Sequence, residues 1–251
     1  MPKFAANLSM LFTELPFLDR IPAAAAAGFE AVECQFPYDY PARDIADRLR
    51  EAGLRMILHN LPAGDWAVGD RGIAAVPGRE TEFRDGVAKA VAYAQAVGCP
   101  RLNCLAGIVD PSCRAEAREI LIGNLRFAAA ALAKSGLDLL IEPVNTRDVP
   151  GFFVNRSRQA VELIAAAGAP NLKLQFDLYH AQIMEGDLAH SLEALLPLIG
   201  HIQIADTPGR HEPGTGEINY AFLFKSLGAL GYDGWVGCEY RPLTTTSAGL
   251  G

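Results

Sequence analysis

The stretch LDLLIEP occupies residues 137–143, and three later stretches have the same form: LKLQFD at 172–177, HIQIAD at 201–206 and WVGCEY at 235–240. Each is a short apolar run with an acidic or amide side chain at its far end. The longer segments between them carry apolar residues at helical spacing. Continuous apolar runs that alternate with such segments are typical of a parallel sheet covered by helices. The sequence therefore predicts an α/β fold.

The same alternation extends over all 251 residues. It predicts strands at 4–9, 31–34, 55–59, 102–105, 137–142, 172–177, 201–205 and 235–239, and helices at 17–27, 41–52, 79–97, 112–134, 157–167, 188–196 and 220–230. The tail after the last strand is too short and polar for a full helix. We expect one domain over residues 1–251, a (β/α)8 TIM barrel with its eighth helix short or missing. An open doubly wound sheet is the alternative, but no GxGxxG follows the first strand.

The amino-acid composition and the net charge limit the classes of molecule that the chain is expected to bind. Half of the residues are apolar, and the net charge is −7 with a pI near 5.3. An acidic chain argues against nucleic acid or an anionic membrane as the main partner. No apolar stretch approaches the roughly 20 residues that span a bilayer. Five scattered cysteines without a CxxC pair fit a reducing compartment, so we expect a cytoplasmic protein.

Four oxygen-bearing side chains stand at or near the ends of the last four strands. In a barrel of this kind, residues at the carboxyl ends of the strands face the active site. The four are Glu142, Asp177, Gln203 and Glu239. A set of oxygen donors without cysteine favours Mg²⁺ or Mn²⁺ over zinc. Any one of them alone is as readily explained by local capping, but four on neighbouring strands predict a site for a divalent cation.

Two of these residues also suit proton transfer. A cation chelated by a carbonyl and an adjacent hydroxyl stabilises an enediolate. One carboxylate can then remove a proton from one carbon while a carboxylic acid returns a proton to its neighbour. We predict that Glu142 and Glu239 have these two roles.

Further polar residues follow other strands and are predicted to contact the substrate. His180 lies three residues beyond Asp177, and Arg210 in the loop after the seventh strand offers a fork for a carboxylate. His59 and Asn60 end the third strand and are expected to face the same pocket. For Trp66, in the long loop after that strand, two interpretations stay open: it covers the pocket, or it is an aromatic side chain packed within the loop.

Longer motifs of the chain resemble the hydroxypyruvate isomerase family of the xylose isomerase-like barrels. They are FAANLSMLF at 4–12, FPYDYP at 36–41, LHNLPAGDWAVGDRGIAAVPGRE at 58–80, IEPVN at 141–145, HEPGTGEINY at 211–220 and GWVGCEYRP at 234–242. The resemblance covers essentially the whole chain.

This resemblance implies that hydroxypyruvate and 2-hydroxy-3-oxopropanoate are interconverted. Glu142 and Glu239 match the family's proton-transfer glutamates, and both match its metal ligands together with Asp177 and Gln203. The expected partner is a small anionic 2-oxo acid, and no motif for a nucleotide cofactor is present. Related sugar epimerases have histidine where this chain has Gln203. A homo-oligomer is also compatible, since a second subunit could cover the gap left by a short eighth helix.

Four other functions stay open at this stage. A sister isomerase would act on a four-carbon 2-oxo acid such as 2-oxotetronate, and a ketose 3-epimerase would act on a neutral sugar. A phosphodiesterase of the endonuclease IV type should carry more than the five histidines of this chain and a basic face. A non-catalytic binding protein could use the same barrel. The presence of both Glu142 and Glu239 favours an enzyme.

Overall fold

The computed structural model describes residues 2–250, and its centre is a closed barrel of eight parallel strands in chain order. The strands are β1 (Lys3–Asn7), β2 (Ala31–Cys34), β3 (Arg55–Asn60), β4 (Arg101–Cys104), β5 (Asp138–Ile141), β6 (Leu172–Asp177), β7 (Ile199–Ile204) and β8 (Trp235–Cys238). Pairing of β1 with β8 closes the ring, with Phe4 opposite Val236. The predicted (β/α)8 barrel is thus confirmed.

Helices surround the barrel and connect successive strands. They are α1 (Phe17–Ala26), α2 (Ala42–Ala52), α3 (Glu80–Val97), α4 (Arg114–Ala133), α5 (Ser157–Ala167), α6 (Leu178–Met184), α7 (Leu188–Leu195), α8 (Tyr220–Ala229) and α9 (Thr246–Gly249). The helix α9 has four residues, as expected for a short eighth helix. Among the helices of residues 2–250, none combines the length and the apolar character that crossing a membrane requires.

The sequence did not predict α6. This helix begins directly after β6, and the Asp177 carboxylate caps it by accepting a hydrogen bond from the backbone N–H of Tyr179 at 2.8 Å. One turn of helix therefore carries His180 back toward the strand end, because residues three apart share a helix face. The strand β7 also begins two residues earlier than predicted.

The barrel interior ends in a polar layer. Side chains alternate between the two faces of a strand, so apolar Ala5, Ala31 and Leu140 lie two residues before polar side chains on the same face. At the end of each strand, or one residue before or after it, stands one buried polar residue: Asn7, Glu33, Asn60, Asn103, Glu142, Asp177, Gln203 and Glu239. Buried polar groups need hydrogen-bonding partners. This layer therefore becomes a network, and it forms the floor of the site.

Candidate active site

A cavity of about 620 Å³ opens at the carboxyl ends of the strands. Glu142 and Glu239 both line it, so the two predicted proton-transfer residues face one space. The end of β3, the start of α6 and the loops supply the rest of the wall, which includes Gln35, Asn60, Trp66, Arg71, Arg147, Asp148, Tyr179, His180, Arg210 and Arg241. A small polar molecule could contact both glutamates here.

Arg210 is the cation at the centre of the carboxylate group. Its Nη2 contacts the Glu239 carboxylate and lies 3.5 Å from Asp177 Oδ2. The loop holds Arg210 in the left-handed backbone region at φ 57°, and Arg241 N donates to the Arg210 carbonyl at 2.8 Å. The side chain of Arg210 is only 15% exposed. The guanidinium thus balances charge inside the site as well as lining the cavity.

The carboxyl groups of Glu142, Asp177 and Glu239 all have raised pKa values, so they are harder to ionise than in water. Burial raises the pKa of Glu142 well above its ordinary value, and the charges of Glu239 and Asp177 raise it further. Burial raises the pKa of Asp177 to about 7 although Arg210 opposes the shift. The pKa of Glu239 is also raised by burial, against the opposing charge of Arg210. The single positive charge of Arg210 is therefore not enough to stabilise negative charges on all three buried carboxyl groups.

Hydrogen bonds distinguish the two glutamates. Glu239 Oε1 accepts from the side-chain amides of Asn7 and Gln35, each at 3.1 Å, and its other oxygen contacts Arg210. Glu142 accepts from Asn103 Nδ2 at 2.8 Å. Donors favour the charged form of a carboxyl group. The surroundings therefore stabilise a negative charge on Glu239 more than on Glu142.

His180 lies against the same carboxyl groups. Its Nε2 is 3.5 Å from Asp177 Oδ2 and 4.0 Å from Glu142 Oε1. Burial, with Arg210 nearby, lowers the pKa of His180 well below its ordinary value. His180 is therefore a neutral imidazole that lines the cavity, and its predicted contact with the substrate stays a prediction.

The site suits a divalent cation. Ligand atoms of Glu142, Asp177 and His180 lie within 4.8 Å of one another, and all three residues are buried. Three carboxyl groups share the single positive charge of Arg210, so full ionisation would leave an uncompensated negative charge in a buried place. A hard divalent cation with oxygen ligands would compensate it. Of the four predicted ligands, Glu142 and Asp177 belong to this group, while ligand roles for Gln203 and Glu239 and the identity of the ion stay predictions.

Gln203 is turned toward the barrel interior. Its Oε1 accepts from Gln175 Nε2 at 2.6 Å, and its Nε2 donates to Glu33 Oε1 at 2.7 Å. Glu33 also pairs with His201 Nε2 at 2.7 Å. Glycine at position 237 leaves room for this carboxylate, since an added Cβ would collide with it. A ligand role for Gln203 stays a prediction, and it would require Gln203 to give up its bond from Gln175.

The strand β3 carries two residues that were predicted to contact the substrate, and their side chains lie on opposite faces of the strand. Asn60 lines the cavity and accepts from Asn103 Nδ2 at 3.2 Å. His59 has no exposed surface, and its ring packs against Tyr38 and Tyr93. Adjacent residues of a strand point to opposite faces. The expectation that His59 faces the pocket is therefore not met: its side chain turns outward to the helices, and only Asn60 reaches the pocket.

Several residues that hold the site together were not predicted from the sequence. Asn7 and Gln35 hold Glu239, Asn103 holds Glu142, and Asn145 contacts His180 with Nδ2 2.7 Å from Nδ1. Asparagine at a strand end, as in NLSM and LNCL, was a signal available in the sequence. Trp66 lines the cavity, 45% exposed and packed on Phe36.

Comparisons with known proteins agree with this architecture. The family model described as "Xylose isomerase-like TIM barrel" matches residues 21–250. The chain is 53% identical over its full length to the hydroxypyruvate isomerase of Escherichia coli (strain K12), and 52% identical to the 2-oxo-tetronate isomerase of Cupriavidus necator, covering 97% of each. A crystal structure from Brucella melitensis, described as an AP endonuclease of family 2, superposes with a TM-score of 0.98 at 50% identity over 100% of this chain and 97% of that one. The chain therefore belongs to the hydroxypyruvate isomerase family of xylose isomerase-like TIM barrels.

Proposed function

We propose that this chain interconverts hydroxypyruvate and 2-hydroxy-3-oxopropanoate by moving a proton between neighbouring carbons. The observation that carries the proposal is the placement of Glu142 and Glu239 on one cavity, with Arg210 paired to Glu239 and His180 Nε2 4.0 Å from Glu142 Oε1. The relatives named as isomerases of 2-oxo acids support it. The acidic chain and its five histidines do not favour nuclease activity, despite the description of the Brucella structure.

Glu239 is assigned as the base toward hydroxypyruvate and Glu142 as the acid, because Glu239 receives more hydrogen bonds. Glu239 takes a proton from the hydroxymethyl carbon. The electron pair of that C–H bond forms the carbon–carbon double bond of an enediolate, and the carbonyl oxygen takes the negative charge. Glu142 then protonates the former carbonyl carbon, while the hydroxyl proton passes to the former carbonyl oxygen. The product has the same atoms, and exchange with solvent restores the glutamates.

The neighbouring residues hold the substrate and its charge. Arg210 pairs with both Asp177 and Glu239 and lines the cavity, so it is placed to contact a substrate oxygen too. Arg71, Arg147 and Arg241 supply further positive charge on the wall for the carboxylate. Mg²⁺ or Mn²⁺ held by Asp177 and by the Glu142 carboxyl oxygen that carries no proton would supply Lewis-acid stabilisation of the substrate oxygens.

The test is an NMR assay of hydroxypyruvate in deuterated buffer, with Mg²⁺ and with chelator. We expect 2-hydroxy-3-oxopropanoate carrying deuterium on the carbon that was the carbonyl, and slower turnover with chelator. Absence of both product and deuterium exchange in the Mg²⁺ sample would refute the proposal.

A four-carbon 2-oxo acid is the second candidate substrate. The near equality of identity to the Cupriavidus necator 2-oxo-tetronate isomerase favours it, and a 620 Å³ cavity has room for one more carbon. The chemistry would be the same. Comparing kcat/KM for hydroxypyruvate and 2-oxotetronate decides between them.

A further inference from the structure

His180 has one nitrogen on each side of its ring, and each meets a different set of partners. The ring is held in place because α6 starts at Asp177 and positions His180 one turn later. Its Nε2 faces the carboxyl groups of the site, and its Nδ1 faces Asn145, which is fully buried. A ring nitrogen that accepts a hydrogen bond carries no proton, so the partners of Nδ1 determine whether the proton of the ring lies on Nε2.

Two groups of Asn145 approach His180 Nδ1. The backbone N–H donates at 3.4 Å, and the side-chain Nδ2 lies 2.7 Å away. A backbone N–H can only donate, so Nδ1 must offer a lone pair to it. The shorter contact agrees with this only if the amide nitrogen, rather than the amide oxygen, faces the ring.

The orientation of the Asn145 amide is set by Asp148. The backbone N–H of Asp148 donates to Asn145 Oδ1 at 2.8 Å, and Asn145 Nδ2 donates to Asp148 Oδ2 at 3.1 Å. If the amide were reversed, the Asn145 side-chain nitrogen would face the backbone N–H of Asp148, which is also a donor. The Asn145 side-chain oxygen would then face the Asp148 carboxylate, which is also an acceptor. The amide nitrogen is thereby directed at His180.

We propose that Asn145 is a positioning residue that fixes His180 as the tautomer with its proton on Nε2, making His180 a hydrogen-bond donor to the reacting oxygens. The role in the reaction rests on the proposed function, but the tautomer does not. Nε2–H points toward Asp177 Oδ2 and Glu142 Oε1 and has no lone pair for a metal ion. A divalent cation is then left to the carboxylates. An oxygen that gains negative charge in the enediolate meets a donor whose direction is already set.

The tautomer can be observed directly in the whole protein labelled with ¹⁵N-histidine. Long-range ¹H–¹⁵N spectra distinguish protonated from unprotonated ring nitrogens, and comparison with His180→Gln assigns the signals among the five histidines. At neutral pH we expect a proton on Nε2 of His180 and none on Nδ1, with and without Mg²⁺. A proton on Nδ1, or loss of the Nε2 proton when Mg²⁺ is added, would overturn the inference.

The variant Asn145→Asp reverses the polarity of the contact. Its carboxylate accepts a hydrogen bond from Nδ1–H, so the proton should move to Nδ1, and kcat should fall about 100-fold, as when one donor to a developing oxyanion is lost. We expect KM to change by only a few-fold. A switched tautomer with unchanged kcat would overturn the catalytic part of the inference, and an unchanged tautomer would overturn the role of Asn145.

Two further variants keep the test decisive. Asn145→Ala removes the side-chain donor at 2.7 Å and keeps the backbone N–H at 3.4 Å, so Nε2–H should remain the major tautomer with a new minor population of Nδ1–H, and an unaltered ratio of tautomers would assign the role to the backbone and overturn the role of the Asn145 side chain. Asn219→Asp makes the same chemical change at the N-cap of α8, where either side chain can cap, and should leave tautomer and kcat unchanged. If wild-type protein shows the Nε2–H tautomer but isomerises neither 2-oxo acid, the proposed function fails while the tautomer assignment stands.

Discussion

Asn103 donates its side-chain amide to Glu142 Oε2 at 2.8 Å, the one hydrogen bond that Glu142 receives from the described part of the chain. Glu239, in contrast, receives bonds from Asn7, Gln35 and Arg210. The two glutamates share a cavity but differ in how strongly their surroundings stabilise a negative charge. An acid and a base facing one substrate require this difference.

Removing either carboxyl group should stop proton transfer. For Glu142→Gln and for Glu239→Gln we expect kcat to fall about 10²- to 10⁴-fold, because each loses one acid–base group while its size is preserved. Steady-state assays with hydroxypyruvate measure the loss, and Glu162→Gln on the exposed face of α5 is the matched control. Retention of more than a tenth of wild-type kcat in either variant would be incompatible with the proton-transfer assignment.

The same two variants should differ in stability. Gln at position 142 resembles the protonated acid that burial favours, so the free energy of unfolding should stay the same or increase. Gln at position 239 leaves Arg210 without its closest carboxylate, which should lower the free energy of unfolding by about 1–3 kcal/mol. Urea denaturation of chelator-treated protein measures both. Equal destabilisation by the two substitutions would mean that the hydrogen-bond difference has no energetic consequence.

His59 should make the protein sensitive to acid. Burial lowers the pKa of His59 to about 4 from an ordinary value of 6.5. Because the unfolded chain binds the proton first, this contribution to stability is complete above pH 6.5 and is lost as the pH falls from 6.5 to 4. The 2.5-unit shift corresponds to about 3 kcal/mol. The difference in free energy of unfolding between wild type and His59→Gln should therefore shrink across this range. A difference independent of pH would show that His59 does not titrate this way.

The sequence predicted the barrel because each strand and helix carries a local signal. Apolar runs of four to six residues alternate with helical periodicity, and that order alone favours eight parallel strands. The helix α6 was missed because no turn separates it from β6. Its start depends on a cap by Asp177, a residue that the pattern had already assigned to the strand.

The site was predicted less completely because strand register decides which side chains face inward. His59 and Asn60 are both polar and are adjacent in the sequence. Because neighbouring side chains of a strand point to opposite faces, His59 faces the surrounding helices and Asn60 faces the cavity. The partners of Arg210 depend on a loop whose path has no periodic signal. The position of Arg210 near the site could therefore be predicted from the sequence, but its pairing with Asp177 and Glu239 could not.

A divalent cation should stabilise the folded protein. Burial makes Asp177 costly to ionise without a second positive charge, so Mg²⁺ should bind beside it in the folded chain and not in the unfolded one. At 100 times its dissociation constant it would add about 2.7 kcal/mol to the free energy of unfolding. Thermal melts with Mg²⁺ and with chelator measure the effect, and Asp177→Asn should reduce it. An equal shift in Asp177→Asn would place the cation elsewhere.

The variant Arg147→Ala tests whether the rim of the cavity binds the substrate carboxylate. Arg147 is exposed and lines the cavity, and its guanidinium has no carboxylate partner within residues 2–250. Because a solvent-exposed ion pair contributes about 0.2–1 kcal/mol, Arg147→Ala should raise KM for hydroxypyruvate by no more than about five-fold and leave kcat nearly unchanged. Higher ionic strength should weaken this difference. Arg43→Ala on α2, also exposed but outside the cavity, is the control. An unchanged KM would assign the carboxylate to the other arginines, whereas a large loss of kcat would mean that Arg147 acts on the reaction and not on binding.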